Sequence, residues 1–145
     1  MQITRTADYG VRVMTHLAML PIGTRVTVAE LAQESDASTA FVGKILQRLV
    51  AARLVVSHRG YEGGFELGRA AETITLLDIV SALEGPLCLN QCLPGGSGCD
   101  RHTWCAAHAV WAEAQAALAA VLSRETLANL AAATLRNRQQ AATVA

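Results

Sequence analysis

Apolar residues at the start of the chain recur at helical spacing. Ala7, Val11, Met14 and Ala18 fall at i, i+4, i+7 and i+11, which predicts an amphipathic helix from about Thr4 to Leu20. Asp8, Arg12 and His16 share another face, and Asp8 and Arg12 have the spacing of an i, i+4 ion pair worth about 0.2 to 0.5 kcal/mol. Pro21-Ile22-Gly23 ends the pattern. Thr27-x-x-Glu30 then reads as a capping box ahead of Val28, Leu31 and Ala32, so a second helix starts near Val28. It stops around Ser35, Asp36 and Ala37, and Ser38 caps a third helix that runs to about Ala52. Two short helices about a tight turn are a helix-turn-helix pattern.

In the third helix Val42, Ile45, Leu46 and Leu49 form the buried stripe, which leaves Thr39, Ala40, Gly43, Lys44, Gln47 and Arg48 outward. Small and polar groups at the start of such a helix, Ser38, Thr39 and Ala40, reach base edges, while Lys44, Gln47 and Arg48 suit phosphates or guanine. A merely solvated helix shows the same face, so the next segment matters. Leu54 and Val56, then Phe65 and Leu67, alternate on either side of Arg59-Gly-Tyr-Glu-Gly-Gly64, which predicts two strands joined by a Gly-rich tip. The whole is a winged helix-turn-helix, with His58 and Arg59 beside the wing tip. An arginine there can enter a narrow minor groove.

Thr75-x-x-Asp78 caps a further helix carrying Leu76, Ile79, Val80 and Leu83, which ends at Gly85-Pro86. From Ala106 to about Leu122 the chain is Ala-rich, and Val110, Ala114, Ala117, Leu118 and Val121 give it an apolar face. A long apolar helix on a small domain needs a cover, and homodimerisation suits a two-fold site on double-stranded promoter DNA. A short helix to Leu135 and a polar, frayed tail complete the reading. The expected fold class is mainly α with a small β wing. Its parts are a winged DNA-binding domain over 1–85, a cysteine-rich loop over 86–105, a dimerisation helix and C-terminal helix over 106–135, and a flexible tail over 136–145.

The formal net charge is zero over 145 residues, which argues against a general polycation. The charge is uneven, however: Lys44, Arg48, Arg53, Arg59 and Arg69 face only Glu62 and Glu66 between Ser38 and Arg69, a local basic patch. The opening residues are polar, and no apolar run reaches the roughly 18 residues of a membrane span, so a cytoplasmic protein without membrane contact is expected. Thiols in that compartment stay free or bind metal.

All four cysteines fall in one Gly-rich segment, Cys88-x3-Cys92-x6-Cys99-x5-Cys105-x2-His108. Soft ligands at this density point to metal chemistry. Only Cys88-x3-Cys92 has the spacing of a zinc knuckle, and the wider gaps suit a loop draped round a larger inorganic core, as in iron-sulfur sites. Cys88 reads as a small buried residue or spare thiol before it reads as a ligand. His102 is a further open candidate, and Trp104 and Trp111 suit packing around the site. No nucleotide-binding glycine motif, paired carboxylates or Ser-His-Asp set points to an enzyme.

The opening to Leu20, the run from Thr27 to Gly85 with Arg59-Gly-Tyr-Glu-Gly-Gly-Phe-Glu-Leu67, and Cys105-Ala-Ala-His108-Ala-Val-Trp111 resemble the bacterial winged-helix regulators typified by IscR and NsrR. The resemblance covers nearly the whole chain. It implies a homodimeric transcription factor, with repression the expected mode, whose DNA binding depends on an iron-sulfur cluster and which senses nitric oxide, redox stress or cluster and iron supply. It also implies that Cys92, Cys99 and Cys105 are the cluster thiolates. Two candidates stand for the fourth ligand: His108, as in IscR-like members with [2Fe-2S], and Asp8 of the partner subunit, as in NsrR-like members with [4Fe-4S]. Gly43 and Lys44 replace the glutamate and glutamine of IscR-like recognition helices, so the operator does not carry over. A zinc- or thiol-switch repressor without a cluster is the alternative.

Overall fold

The computed structural model describes residues 3–144. Helix α1 (Arg5–Met19) starts at Thr4, whose hydroxyl accepts from the Thr6 N–H. The capping box at Thr27 and Glu30 opens α2 (Val28–Ser35) as expected. Asp36, in the left-handed conformation at φ 54°, ends it, and its N–H reaches the Ala32 and Gln33 carbonyls. Ser38 opens α3 (Thr39–Ala51). Strands β1 (Val55–His58) and β2 (Gly64–Leu67) form an antiparallel hairpin, in register Val55↔Leu67 to His58↔Gly64. A 3-10 turn over Ala71–Thr73 leads to α4 (Leu76–Glu84), α5 (Ala106–Arg124) and α6 (Leu127–Val144).

Helix α1 is the centre of the domain, packed by α2, α3, α4 and α6. Its buried face is therefore wider than the single expected stripe: Ala7, Gly10, Val13, Met14, Thr15 and Leu17 are buried, while Val11 and Ala18 are only half-buried. They meet Leu31, the predicted α3 stripe Val42, Ile45, Leu46 and Leu49, then Ile79, Leu83 and Leu127. Gly10 is what lets α4 approach, because a Cβ there would collide with Leu83.

The wing departs from the expected alternation by one position: Leu54 and Val55 are buried and Val56 faces solvent. Arg53, at φ 58°, turns the chain between α3 and β1 and shifts the phase. The hairpin also gains a third partner that no local pattern announces. Val26, just before α2, donates to the Phe65 carbonyl at 3.0 Å and accepts from the Phe65 N–H at 2.8 Å. Gly64 permits this, since a Cβ on it would sit 2.9 Å from the Val26 carbonyl oxygen. The wing is thus bonded to the root of the helix-turn-helix.

The second correction concerns the C-terminus. The polar tail expected over 136–145 is helical through Val144. The segment holds no Gly or Pro, and its Ala, Arg and Gln residues are good helix formers. Arg138 pairs with Glu34 of α2, which ties the helix end to the domain. No helix among the described residues is long and apolar enough to cross a membrane.

Candidate DNA-binding face and cysteine basin

Helix α3 presents its N-terminal face outward. Ser38 lies at the cap, its Oγ accepting from the Phe41 N–H at 3.2 Å. Thr39, Ala40, Lys44 and Gln47 are exposed beyond it. Arg48 behaves differently from the sequence reading: its guanidinium donates to the Leu83 carbonyl at the end of α4. A cation at a helix C-terminus satisfies free carbonyls there, so this side chain braces α3 against α4. His58 is likewise engaged, its Nε2 paired with Glu66 across the hairpin. Arg59 is exposed at the tip, beside a fully exposed Tyr61.

Two residues at this face escaped the sequence reading. Arg25 donates from Nη1 to the Glu62 carbonyl at 3.3 Å and steadies the wing from the loop before α2. No spacing rule links positions so far apart. Tyr61 was legible as an aromatic in a Gly-rich turn, the position most exposed in any hairpin. Below the face, Glu30 receives hydrogen bonds from the Thr27 hydroxyl and N–H, which hold its carboxyl below the usual range. His16 adds a smaller electrostatic push in the same direction.

The loop between α4 and α5 shapes the second site. Leu93 is buried and anchors it, and Gln115 of α5 accepts the Leu89 N–H at 2.9 Å through Oε1. Further on, the Gly98 N–H reaches the Gln91 carbonyl at 2.8 Å. Two turns follow, closed by His102 N–H to the Cys99 carbonyl at 3.2 Å and Cys105 N–H to the Arg101 carbonyl at 2.9 Å. The result is an open basin of about 1030 Å³ whose wall includes Cys92, Cys99, Cys105, His102, Asp100 and Trp111. All three cysteines are half-buried free thiols, and Cys105 is the N-cap residue of α5. A thiolate is favoured at a helix N-terminus.

The other predicted ligands stand apart. Cys88 donates from Sγ to the Asn90 carbonyl at 3.1 Å and lines a crevice of about 190 Å³ with Val80, Leu118 and Leu122. His108 is half-buried, its Nδ1 enclosed without a partner among the described residues, and it is not on the basin wall. Asp8 is bonded to Arg12 at 2.7 Å within its own helix, so only the partner subunit's Asp8 could enter a basin.

The donor set fits an iron-sulfur group. Three free thiols share one concavity, while no three Cys, His, Asp or Glu side chains among the described residues gather tightly enough to hold a single ion. Ligands ringed about a wide space suit a polynuclear core more than one ion.

Helix-turn-helix, wing and basic face together define a winged-helix DNA-binding transcription regulator. The chain belongs to the Rrf2 family of iron-dependent transcriptional regulators, whose family model matches residues 3–133. It is 35% identical over 135 residues to an HTH-type transcriptional regulator of Mycobacterium tuberculosis, covering 93% of this chain and 84% of that one. Among solved structures it is similar to CymR, the global cysteine regulator of B. subtilis. That match has TM-score 0.76 and 29% identity and covers 91% of this chain and 97% of that one. It is also similar to T. potens IscR, with TM-score 0.73 and 26% identity over 97% of this chain and 90% of that one. These relatives are transcriptional regulators, not enzymes.

Proposed function

We propose that this chain is an iron-sulfur-dependent repressor that binds promoter DNA as a homodimer and reports nitric oxide, redox stress or iron-sulfur status. Cys92, Cys99 and Cys105 would hold the cluster, [2Fe-2S] or [4Fe-4S], with His108 or the partner subunit's Asp8 as the family's candidates for a fourth ligand. The observation that carries the reading is the placing of exactly these thiols on one basin at the N-terminus of α5. A bound cluster supplies reversible redox and ligand-exchange chemistry at iron.

The rest is done by the protein. Cys105 caps α5, and the far end of α5 is bonded to α4, since the Glu125 carbonyl accepts the Leu76 N–H at 2.9 Å. Helix α4 in turn holds α3 through Arg48. A change in how the loop is held therefore reaches the spacing of two recognition helices through contiguous rigid elements. A coupling of about 1 to 3 kcal/mol would alter DNA affinity roughly 5- to 150-fold. On the DNA, Ser38, Thr39, Ala40, Lys44 and Gln47 would face the major groove, and Arg59 the minor groove.

The test is a visible spectrum with iron and sulfide analysis on protein purified without oxygen. Coloured protein with about two irons per protomer favours a [2Fe-2S] centre, and about four favours [4Fe-4S]. Cys99→Ala should abolish the colour and change affinity for DNA selected from a random pool. Arg59→Ala should weaken that binding and keep the colour; unchanged affinity would sink the wing assignment. The second reading, a zinc- or thiol-switch repressor, draws support from the likeness to a cysteine regulator. Colourless protein carrying zinc or no metal would put it first.

A further inference from the structure

We infer that His102, through Nε2, is the fourth protein ligand in the cysteine basin, in place of His108 or the partner subunit's Asp8. The inference rests on the cluster reading above and narrows it.

His102 is the histidine on the basin wall with the three cysteines. Its Nδ1 lies 2.7 Å from the Cys99 carbonyl oxygen. A carbonyl oxygen only accepts, so Nδ1 must carry the proton, and the neutral ring then has its lone pair on Nε2. That is the arrangement of a metal-ligating histidine, whose other nitrogen donates to a backbone carbonyl that fixes tautomer and ring direction. The backbone supports it: the turns closed at Cys99–His102 and Arg101–Cys105 set Cys99, His102 and Cys105 three residues apart along one side of the chain.

The rivals lack one of these features each. His108 is off the wall, and its ring packs edge-on to that of His102 with centroids 6.1 Å apart, a supporting position. Asp8 is engaged by Arg12. Asp100 is on the wall, but it is an exposed, hard oxygen donor that no hydrogen bond orients among the described residues.

The experiment compares wild type, His102→Ala, His102→Cys, His108→Ala and Asp8→Ala as full-length proteins purified anaerobically. Iron content, visible spectrum and iron retention against a ferrous chelator are read for each, with circular dichroism of the apo forms to check folding. His102→Ala should hold iron at least roughly 10-fold more weakly. His102→Cys should regain iron with a shifted spectrum, and the reduced wild-type cluster should show histidine nitrogen hyperfine coupling by pulsed electron paramagnetic resonance. Coloured wild type with an unaffected His102→Ala, and loss of iron in His108→Ala or Asp8→Ala, would overturn the ligand assignment alone. Colourless wild type overturns the cluster reading itself, and the assignment with it.

Discussion

Glu30 shows how a single carboxylate supports the DNA-reading unit. The Thr27 hydroxyl and N–H both donate to its Oε2, so the charged form is favoured in the folded state and its pKa is lowered. A group with a depressed folded pKa contributes stability above the unfolded value, near 4.5, and loses it as pH falls through the folded value. Glu30→Gln should therefore melt below wild type at neutral pH, and the gap in melting temperature should close as pH is lowered past 4.5. A gap that stays constant down to acid pH would contradict the charge-based account. Thr27→Ala removes the cap as well and should cost about 1 kcal/mol in urea unfolding. At this scale the sequence was informative, because both capping boxes are local patterns.

The elements are joined by bonds that link distant positions. Gln115 holds the first part of the cysteine loop to α5 by accepting the Leu89 N–H. Gln115→Leu keeps the side chain's bulk and deletes the acceptor, at a cost of about 0.5 to 1.5 kcal/mol. The Leu89 amide should then exchange hydrogen several-fold faster, whereas Gln115→Glu, which keeps an acceptor, should stay near wild type. Equal exchange in all three proteins would show that the loop is held elsewhere. Neither this bond nor the Val26–Phe65 pairing could be read from spacing. Each joins an element to a loop, where no hydrophobic period marks the partner.

Across the whole molecule the unmet requirement is cover for α5. Val110 is 63% exposed and Val121 47%, three turns apart on one face, and only Leu122 of this long helix is buried. A second copy laid against that face would bury it and give two recognition helices. Val110→Glu with Val121→Glu should yield a monomer by light scattering and weaken operator binding by well over 10-fold, since each half-site would be bound alone. A dimer that survives both charges would place the interface on another surface.

The sequence by itself determined the helix-turn-helix, the hairpin and the grouping of cysteines, because caps, turn residues and side-chain period are properties of a few neighbouring residues. It mistook the last helix for a tail, since a polar Ala-, Arg- and Gln-rich segment carries little apolar period while still forming backbone bonds well. Which way a long side chain turns was decided only by tertiary structure. Arg48 and His58 looked free for DNA, but a helix end and a cross-strand carboxylate lie within their reach. The same holds for the thiols: spacing put four in one loop, and the folding of that loop set three on one wall and left Cys88 in another crevice.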